Sequence, residues 1–306
     1  MPKFLIFAPQ YNENVGGVIC LHRLCHELNQ IEGVSAALTP FFHTYEIHQR
    51  SMLGPIARVT KKRLGSVKRY RTHPMFDTPV IRRPGTGEEL DEYIAIYPEA
   101  VSGNPLDATK VVRWLLYPPG GITGRVHFGT GELYVPYDNT IGELTIPGSL
   151  TARDYMKIVY YPLDLYYPPA DGSIRSGVAY AVRKGSGKLL REHPEGAICI
   201  DGRGHREVAD IFRRVKTFVS YDAYTAYSLF AALSGCDSVV IPDEGVDKEQ
   251  WYPDPADRYG LAYGWDQVSH ARSTRHLVRE RMLAEQGRNP QQALQFVRSV
   301  TQFFRQ

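Results

Sequence analysis

Residues 218–243, FVSYDAYTAYSLFAALSGCDSVVIPD, pass from an apolar strand-like run ending near Ser220 to a loop with Tyr221, Asp222, Tyr224 and Thr225. A helical pattern follows, closed by Gly235. A helix start built of small or hydroxylic residues presents N–H groups and the positive end of a dipole, a setting that suits a diphosphate. Thr225 adds a hydroxyl donor, and Asp222 adds an acceptor for sugar hydroxyls. The same residues also read as punctuation, Thr225 as an N-cap and Asp222 as a turn residue. Near the N-terminus, Gly16 and Gly17 lie between an apolar run and an amphipathic pattern. Strand, glycine pair and helix let backbone amides approach an anion, although ordinary turns use the same pair. Glu99, in YPEAVSGNP, follows another apolar run. It is placed to orient an acceptor or to take its proton, or to serve as a plain surface carboxylate.

Other stretches carry weaker chemistry. GSGKLL does not match the phosphate-binding P-loop, because Val182 stands at its first glycine and Leu189 at its Ser/Thr. His22 and His26 share a helical face, but the sequence offers no third ligand for a metal. AICIDGRGHRE sets Gly202 and Gly204 between a strand and a helix, with Asp222 20 residues after Gly202. That order resembles a dinucleotide fingerprint, yet Glu207 occupies the third glycine position, where it would repel a pyrophosphate.

The positioning elements follow from hydrophobic spacing. KFLIFAP reads as a strand buried on both faces. Val18, Leu21, Leu24, Cys25 and Leu28 paint one helical face. GVSAALTP completes a βαβ unit. EYIAIYPE is a further strand, and Asn104, Pro105 and Asp107 predict a helix start running through KVVRWLL. Residues 121–160 read as short strands and turns. After a proline- and tyrosine-rich linker near 161–170, a second series alternates: GVAYAV, a short helix at KLLREH, AICID, HREVADIFRRV, KTFVS, TAYSLFAALSG and SVVIP. The tail from about 266 is helical, with a break at 287–290. The fold class is therefore α/β, with two Rossmann-like domains of parallel sheet facing a cleft and a helical C-terminal tail. The expected boundaries are 1–165, 172–288 and a helix over 289–306 that packs back.

Composition bounds the rest. The chain has 306 residues, 43% of them hydrophobic, enough for two buried cores. It has no apolar run of membrane-spanning length and no secretory leader, so the cytoplasm is expected. Cys20, Cys25, Cys199 and Cys236 lie in apolar contexts and read as reduced core residues. Net charge is only +3, yet Arg58, Lys61, Lys62, Arg63, Lys68, Arg69 and Arg71 form a run without an acid. That run is either a soluble basic loop or a peripheral contact with an anionic membrane surface, such as the inner membrane.

The order of elements and the 218–243 stretch resemble glycosyltransferases of the GT-B architecture, which use nucleotide-activated sugars. Many retaining members carry E-G-F-G-L-x-x-L-E-A-M-A-x-G in a loop–helix segment. With the last glycine on Gly235, the first glutamate falls on Asp222, the small residue on Thr225 and the second glutamate on Phe230. The resemblance implies that Asp222 contacts the donor sugar, and that the carboxylate commonly used for the nucleotide ribose is lost at Phe230. The second domain of that family often opens with a strand, an arginine and, five residues on, a lysine, both on the donor phosphates. AYAVRKGSGK supplies Arg183 and Lys188, with Lys184 between them. Cations there would stabilise the departing diphosphate; a solvated basic turn is the plain alternative. Gly16 and Gly17 match the loop of the first domain that approaches donor and acceptor.

The resemblance thus implies a glycosyltransferase that moves a sugar from a nucleoside-diphosphate donor to a glycan or lipid-linked acceptor in cell-envelope polysaccharide or lipopolysaccharide synthesis. Asp222 and Glu99 are its candidate catalytic residues. Gly16, Gly17, Arg183, Lys184, Lys188, Gly202, Tyr221, Tyr224 and Thr225 are its candidate donor-binding residues. It needs no metal and no cofactor beyond the donor, and nucleic acid is not an expected partner. The alternatives are an NAD(P)-dependent oxidoreductase and a non-catalytic nucleotide- or nucleic-acid-binding protein.

Overall fold

In β1 (Lys3–Ala8), Phe4 and Ile6 point to one face and Leu5 and Phe7 to the other, and all four are buried. That is the signature of a strand covered on both sides. The computed structural model describes residues 1–40, 70–84, 88–122, 124–138, 141, 144–170, 174–185 and 187–305. Two compact units form, one from residues 1–160 with 286–306, the other from residues 161–285.

In the first unit, β1 is joined by β2 (Ser35–Pro40), β3 (Tyr93–Pro98), β4 (Val111–Leu115), β5 (Leu133–Pro136) and β6 (Leu150–Thr151), in the order β2-β1-β3-β4-β5-β6. Every pairing in this sheet is parallel. The helix Gly16–Asn29 and the final helix Asn289–Phe303 cover one face. Ala293, Phe296, Val297 and Val300 repeat at three and four along that last helix and meet Phe4, Leu24 and Leu28. Buried Asn289 fixes the helix start. Its Nδ2 donates to the Val159 carbonyl at 2.7 Å and to Glu27 Oε1 at 3.2 Å, and its Oδ1 accepts from the Val159 N–H at 3.1 Å.

The helix expected from Asn104 through 117 does not form: residues 111–115 are β4. Three features override the capping signal. Val111 and Val112 are β-branched and suit a strand. The Asn104 carboxamide accepts from the Ala108 N–H at 3.1 Å and donates to the Ala108 carbonyl at 2.8 Å, closing a loop. Arg113 then ties the 101–103 loop to Glu132. It is fully buried, pairs with Glu132 at 2.5 Å, donates to the Val101 and Gly103 carbonyls at 2.7 and 2.6 Å, and stacks 4.1 Å over Phe128. The buried Val101 carbonyl would otherwise lack a donor.

In the second unit, β7 (Val178–Ala181), β8 (Ile198–Cys199), β9 (Thr217–Ser220), β10 (Asp237–Val240) and β11 (Leu261–Tyr263) form a parallel sheet in the order β11-β10-β9-β7-β8. The helices His205–Arg214 and Tyr227–Leu233 pack on one face through Val208, Phe212, Phe230 and Ala231. The short helix expected at KLLREH is absent. Its residues instead anchor to the sheet: His193 stacks 3.8 Å over Tyr180, and the Glu192 N–H donates to Tyr221 Oη at 2.9 Å. The two Rossmann-like α/β units and the helical tail match the fold class that the sequence predicts. Residues 58–69 of the basic run lie outside the described residues; the Arg71 carbonyl accepts from the Tyr11 N–H at 2.8 Å.

Candidate functional site

Open parallel sheets bind ligands beyond the carboxyl ends of their strands, where the strand order reverses. In the second unit the reversal lies between β7 and β9, which pair Ala181 with Ser220. The next residues on each side include Arg183 and Asp222. The Arg183 Nε lies 3.9 Å from Asp222 Oδ2, and the guanidinium sits 5.1 Å over the Tyr227 ring. So long and partly exposed a pair contributes roughly 0–1 kcal/mol. A closer, bidentate anion would exchange for it readily.

The turn that aims Arg183 is strained. Arg183 has φ 43°, a region that side-chain-bearing residues seldom adopt. Contacts from Asp201 and Tyr221 help to hold it there. Asp201 Oδ2 accepts from the N–H groups of Val182 and Arg183, each at 3.0 Å. Gly185 lies so close to Tyr221 that a Cβ would overlap the Tyr221 carbonyl.

Asp222 is buried, and its Oδ1 accepts from the Tyr224 N–H at 3.1 Å, an Asx-type turn. Oδ1 thus fills the turn role, while Oδ2 faces Arg183. The helix expected to start at Thr225 begins at Tyr227. Thr225 Oγ1 accepts from the Tyr227 N–H at 3.4 Å, and its carbonyl accepts from the Ser228 N–H at 3.2 Å. Ala226 stands at the N-cap position without a side-chain cap. Tyr221 is buried, its hydroxyl 2.7 Å from His193 Nδ1 and accepting from the Glu192 amide, and burial raises its pKa. Tyr224 is exposed, edge-on to Tyr252.

Lys188 is drawn to the end of β10. Its Nζ donates to the Ile241 carbonyl at 2.6 Å and pairs with Asp243 at 2.7 Å. Lys184 is exposed in the same turn as Arg183. Gly202 has φ 78° in the turn after β8. Because β8 is an edge strand with β7 between it and β9, Gly202 and Gly204 stand off the switch point, and Asp222 does not follow the neighbouring strand as a dinucleotide fingerprint requires.

In the first unit the order reverses between β1 and β3. Gly16 and Gly17 follow β1, and Glu99 follows β3. The glycines form the first helical turn itself and do not precede it. A Cβ at Gly16 would meet nothing within 4 Å, and one at Gly17 would only touch Leu116, so protein packing demands neither glycine. Buried Glu99 accepts from the Leu116 N–H at 3.0 Å. His22 and His26 serve the protein: His22 Nε2 lies 2.9 Å from the Pro9 carbonyl, and His26 Nδ1 accepts from the Asp77 N–H at 3.0 Å. Among the described residues no cluster of three or more His, Cys, Asp or Glu is arranged to hold a metal. Asp201, Gly185, Asp243 and Tyr227 contact or shape the candidate residues, and the sequence did not single them out. Only the strand-end position of Asp201 in AICID marks it in one dimension.

No protein-family model matches the chain, and no curated protein matches it. Among solved structures it is similar to a sucrose-phosphate synthase from Thermosynechococcus elongatus, with 11% identity and a TM-score of 0.42 over 99% of each chain. It is also similar to the spinosyn rhamnosyltransferase SpnG, with 9% identity and a TM-score of 0.28 over 98% of this chain and 96% of the other. Likenesses this distant say nothing about activity.

Proposed function

We propose that the protein is a glycosyltransferase that moves a sugar from a nucleoside-diphosphate donor held by the second unit to an acceptor held by the first. The observation that carries this reading is the meeting of Arg183 and Asp222 at the β7–β9 switch point. A guanidinium there pairs with phosphoryl oxygens and stabilises the charge that grows on the leaving diphosphate. Asp222 Oδ2 accepts from a sugar hydroxyl once Arg183 turns to the phosphate. Lys184 adds positive charge, and Lys188 adds more from its place at the β10 end. Tyr224 offers an exposed ring beside the sugar. In the first unit, Glu99 orients the acceptor hydroxyl or takes its proton, and the Gly16–Gly17 backbone approaches the donor. The acceptor is a glycan or a lipid-linked glycan of envelope polysaccharide synthesis, and the basic run 58–71 serves as its peripheral contact with an anionic membrane. No helix among the described residues is long and apolar enough to cross a membrane.

The test is thermal stabilisation by a panel of nucleotides, nucleoside-diphosphate sugars and NAD(P). Stabilisation by one nucleoside diphosphate and its sugars supports the reading, and Arg183→Ala removes most of it, about 1.5–3 kcal/mol of binding. Stabilisation by NAD(P) alone supports an oxidoreductase and overturns the transferase. Binding of nucleic acid with a steep salt dependence, and of no nucleotide, overturns it as well.

A further inference from the structure

We infer that Asp201 is a positioning residue for Arg183, holding the turn after β7 in the one shape that presents the guanidinium to a phosphoryl group. The inference rests on the donor-site reading above. It starts from a cost: an arginine at φ 43° is strained, and such strain persists only where the surroundings over-determine it. Glycine or asparagine would adopt this backbone with less strain, so the arginine is there for its side chain.

The surroundings over-determine the turn from three sides. From β8, one oxygen of Asp201 takes both the Val182 and Arg183 N–H groups at 3.0 Å. Ionised acceptors make such bonds roughly twice as strong as neutral ones. From within, the Gly185 N–H donates to the Val182 carbonyl at 2.7 Å and closes the turn. From β9, the Tyr221 backbone presses on Gly185. The sheet sets the register of all three, because the Ile200 N–H donates to the Tyr180 carbonyl at 2.9 Å and the Tyr221 N–H to the Ala181 carbonyl at 2.9 Å. Of these holds, only Asp201 bonds the Arg183 backbone directly through a side chain. Without it, Arg183 relaxes to a negative φ and its guanidinium leaves the place beside Asp222 and Tyr227.

Calorimetric titration of the full chain with inorganic pyrophosphate and with each nucleoside diphosphate tests this. Asp201→Ala weakens binding by about tenfold or more, and hydrogen exchange at the Val182 and Arg183 amides of the ligand-free protein speeds up. Asp201→Asn keeps an oxygen for the same two N–H groups and binds within about threefold of the parent, or more tightly through the loss of a negative charge. In an Arg183→Ala background, Asp201→Ala changes the affinity no further, whereas a carboxylate that merely supported the fold would weaken both backgrounds alike. Equal binding by Asp201→Ala and the parent overturns the positioning role and leaves the donor site standing. So does a loss in Asp201→Asn as large as in Asp201→Ala. If the parent binds neither pyrophosphate nor any nucleoside diphosphate, the donor site falls and the positioning role with it.

Discussion

Tyr161 and Glu285, the first and last residues of the second unit, are hydrogen-bonded to each other, Oη to Oε2 at 2.6 Å. The bond closes that unit where the chain enters and leaves it. Arg281 Nη1 lies 3.4 Å from the same carboxylate oxygen and also pairs with Asp257. Burial, reinforced by the negative charge of Glu285, keeps the Tyr161 phenol protonated and donating. Tyr161→Phe leaves a largely buried carboxylate short of a donor and costs about 1–3 kcal/mol. Urea unfolding followed by a probe in residues 161–285 measures it, and an unchanged midpoint would show that Arg281 makes up the loss.

Arg113 is the linchpin of the first unit's second face. Arg113→Met leaves Glu132 charged and buried and strips the Val101 and Gly103 carbonyls of their donor. Removing one partner of a buried pair costs about 3–5 kcal/mol. The double replacement of Arg113 and Glu132 by apolar residues recovers part of that, read as the coupling in a denaturation cycle.

Gly185 should tolerate no side chain. Gly185→Ala drives a methyl into the Tyr221 backbone carbonyl, which cannot swing away as a flexible side chain would. The expected cost is about 1–3 kcal/mol of stability, with loss of pyrophosphate binding as the Arg183 turn opens. Gly187→Ala is the control, since a Cβ there meets nothing within 4 Å.

His22 makes the first unit sensitive to mild acid. Burial lowers its pKa to about 4, only partly offset by its hydrogen bond to the Pro9 carbonyl. The unfolded imidazole titrates near 6.5. Between those values the unfolded chain binds the proton that the folded one refuses, so stability falls as pH drops from about 6.5 towards 4, by on the order of 3 kcal/mol in all. His22→Gln keeps a donor for the Pro9 carbonyl and should flatten this part of the stability–pH curve, measured by chemical denaturation at stepped pH.

Much of the architecture can be read in one dimension. Continuous apolar runs such as KFLIFAP and EYIAIYPE become β1 and β3 because two-sided burial requires apolar residues on both faces of a strand. The i, i+3, i+4 spacing from Val18 to Leu28 becomes a helix because it gathers one face. The failures share a cause. Asn104 and Pro105 look like a helix start, yet the energy at 111–115 lies in a guanidinium that meets Glu132 just before β5, and no local pattern reports a partner 19 residues away. KLLREH likewise lost its helix to contacts with Tyr180 and Tyr221.

The candidate site divides along the same line. Residue types and strand ends in the chain pointed to Asp222, Glu99 and the glycine pair, and the resemblance to GT-B glycosyltransferases added Arg183 and Lys188, because charge and backbone freedom belong to each residue alone. Strand order chose among them. Placing β7 beside β9 brought Arg183 to Asp222, left Gly202 on an edge, and sent Lys188 to the end of β10. Hydrogen bonding between neighbouring strands depends on which segments become neighbours, and that is settled by the packing of the whole sheet.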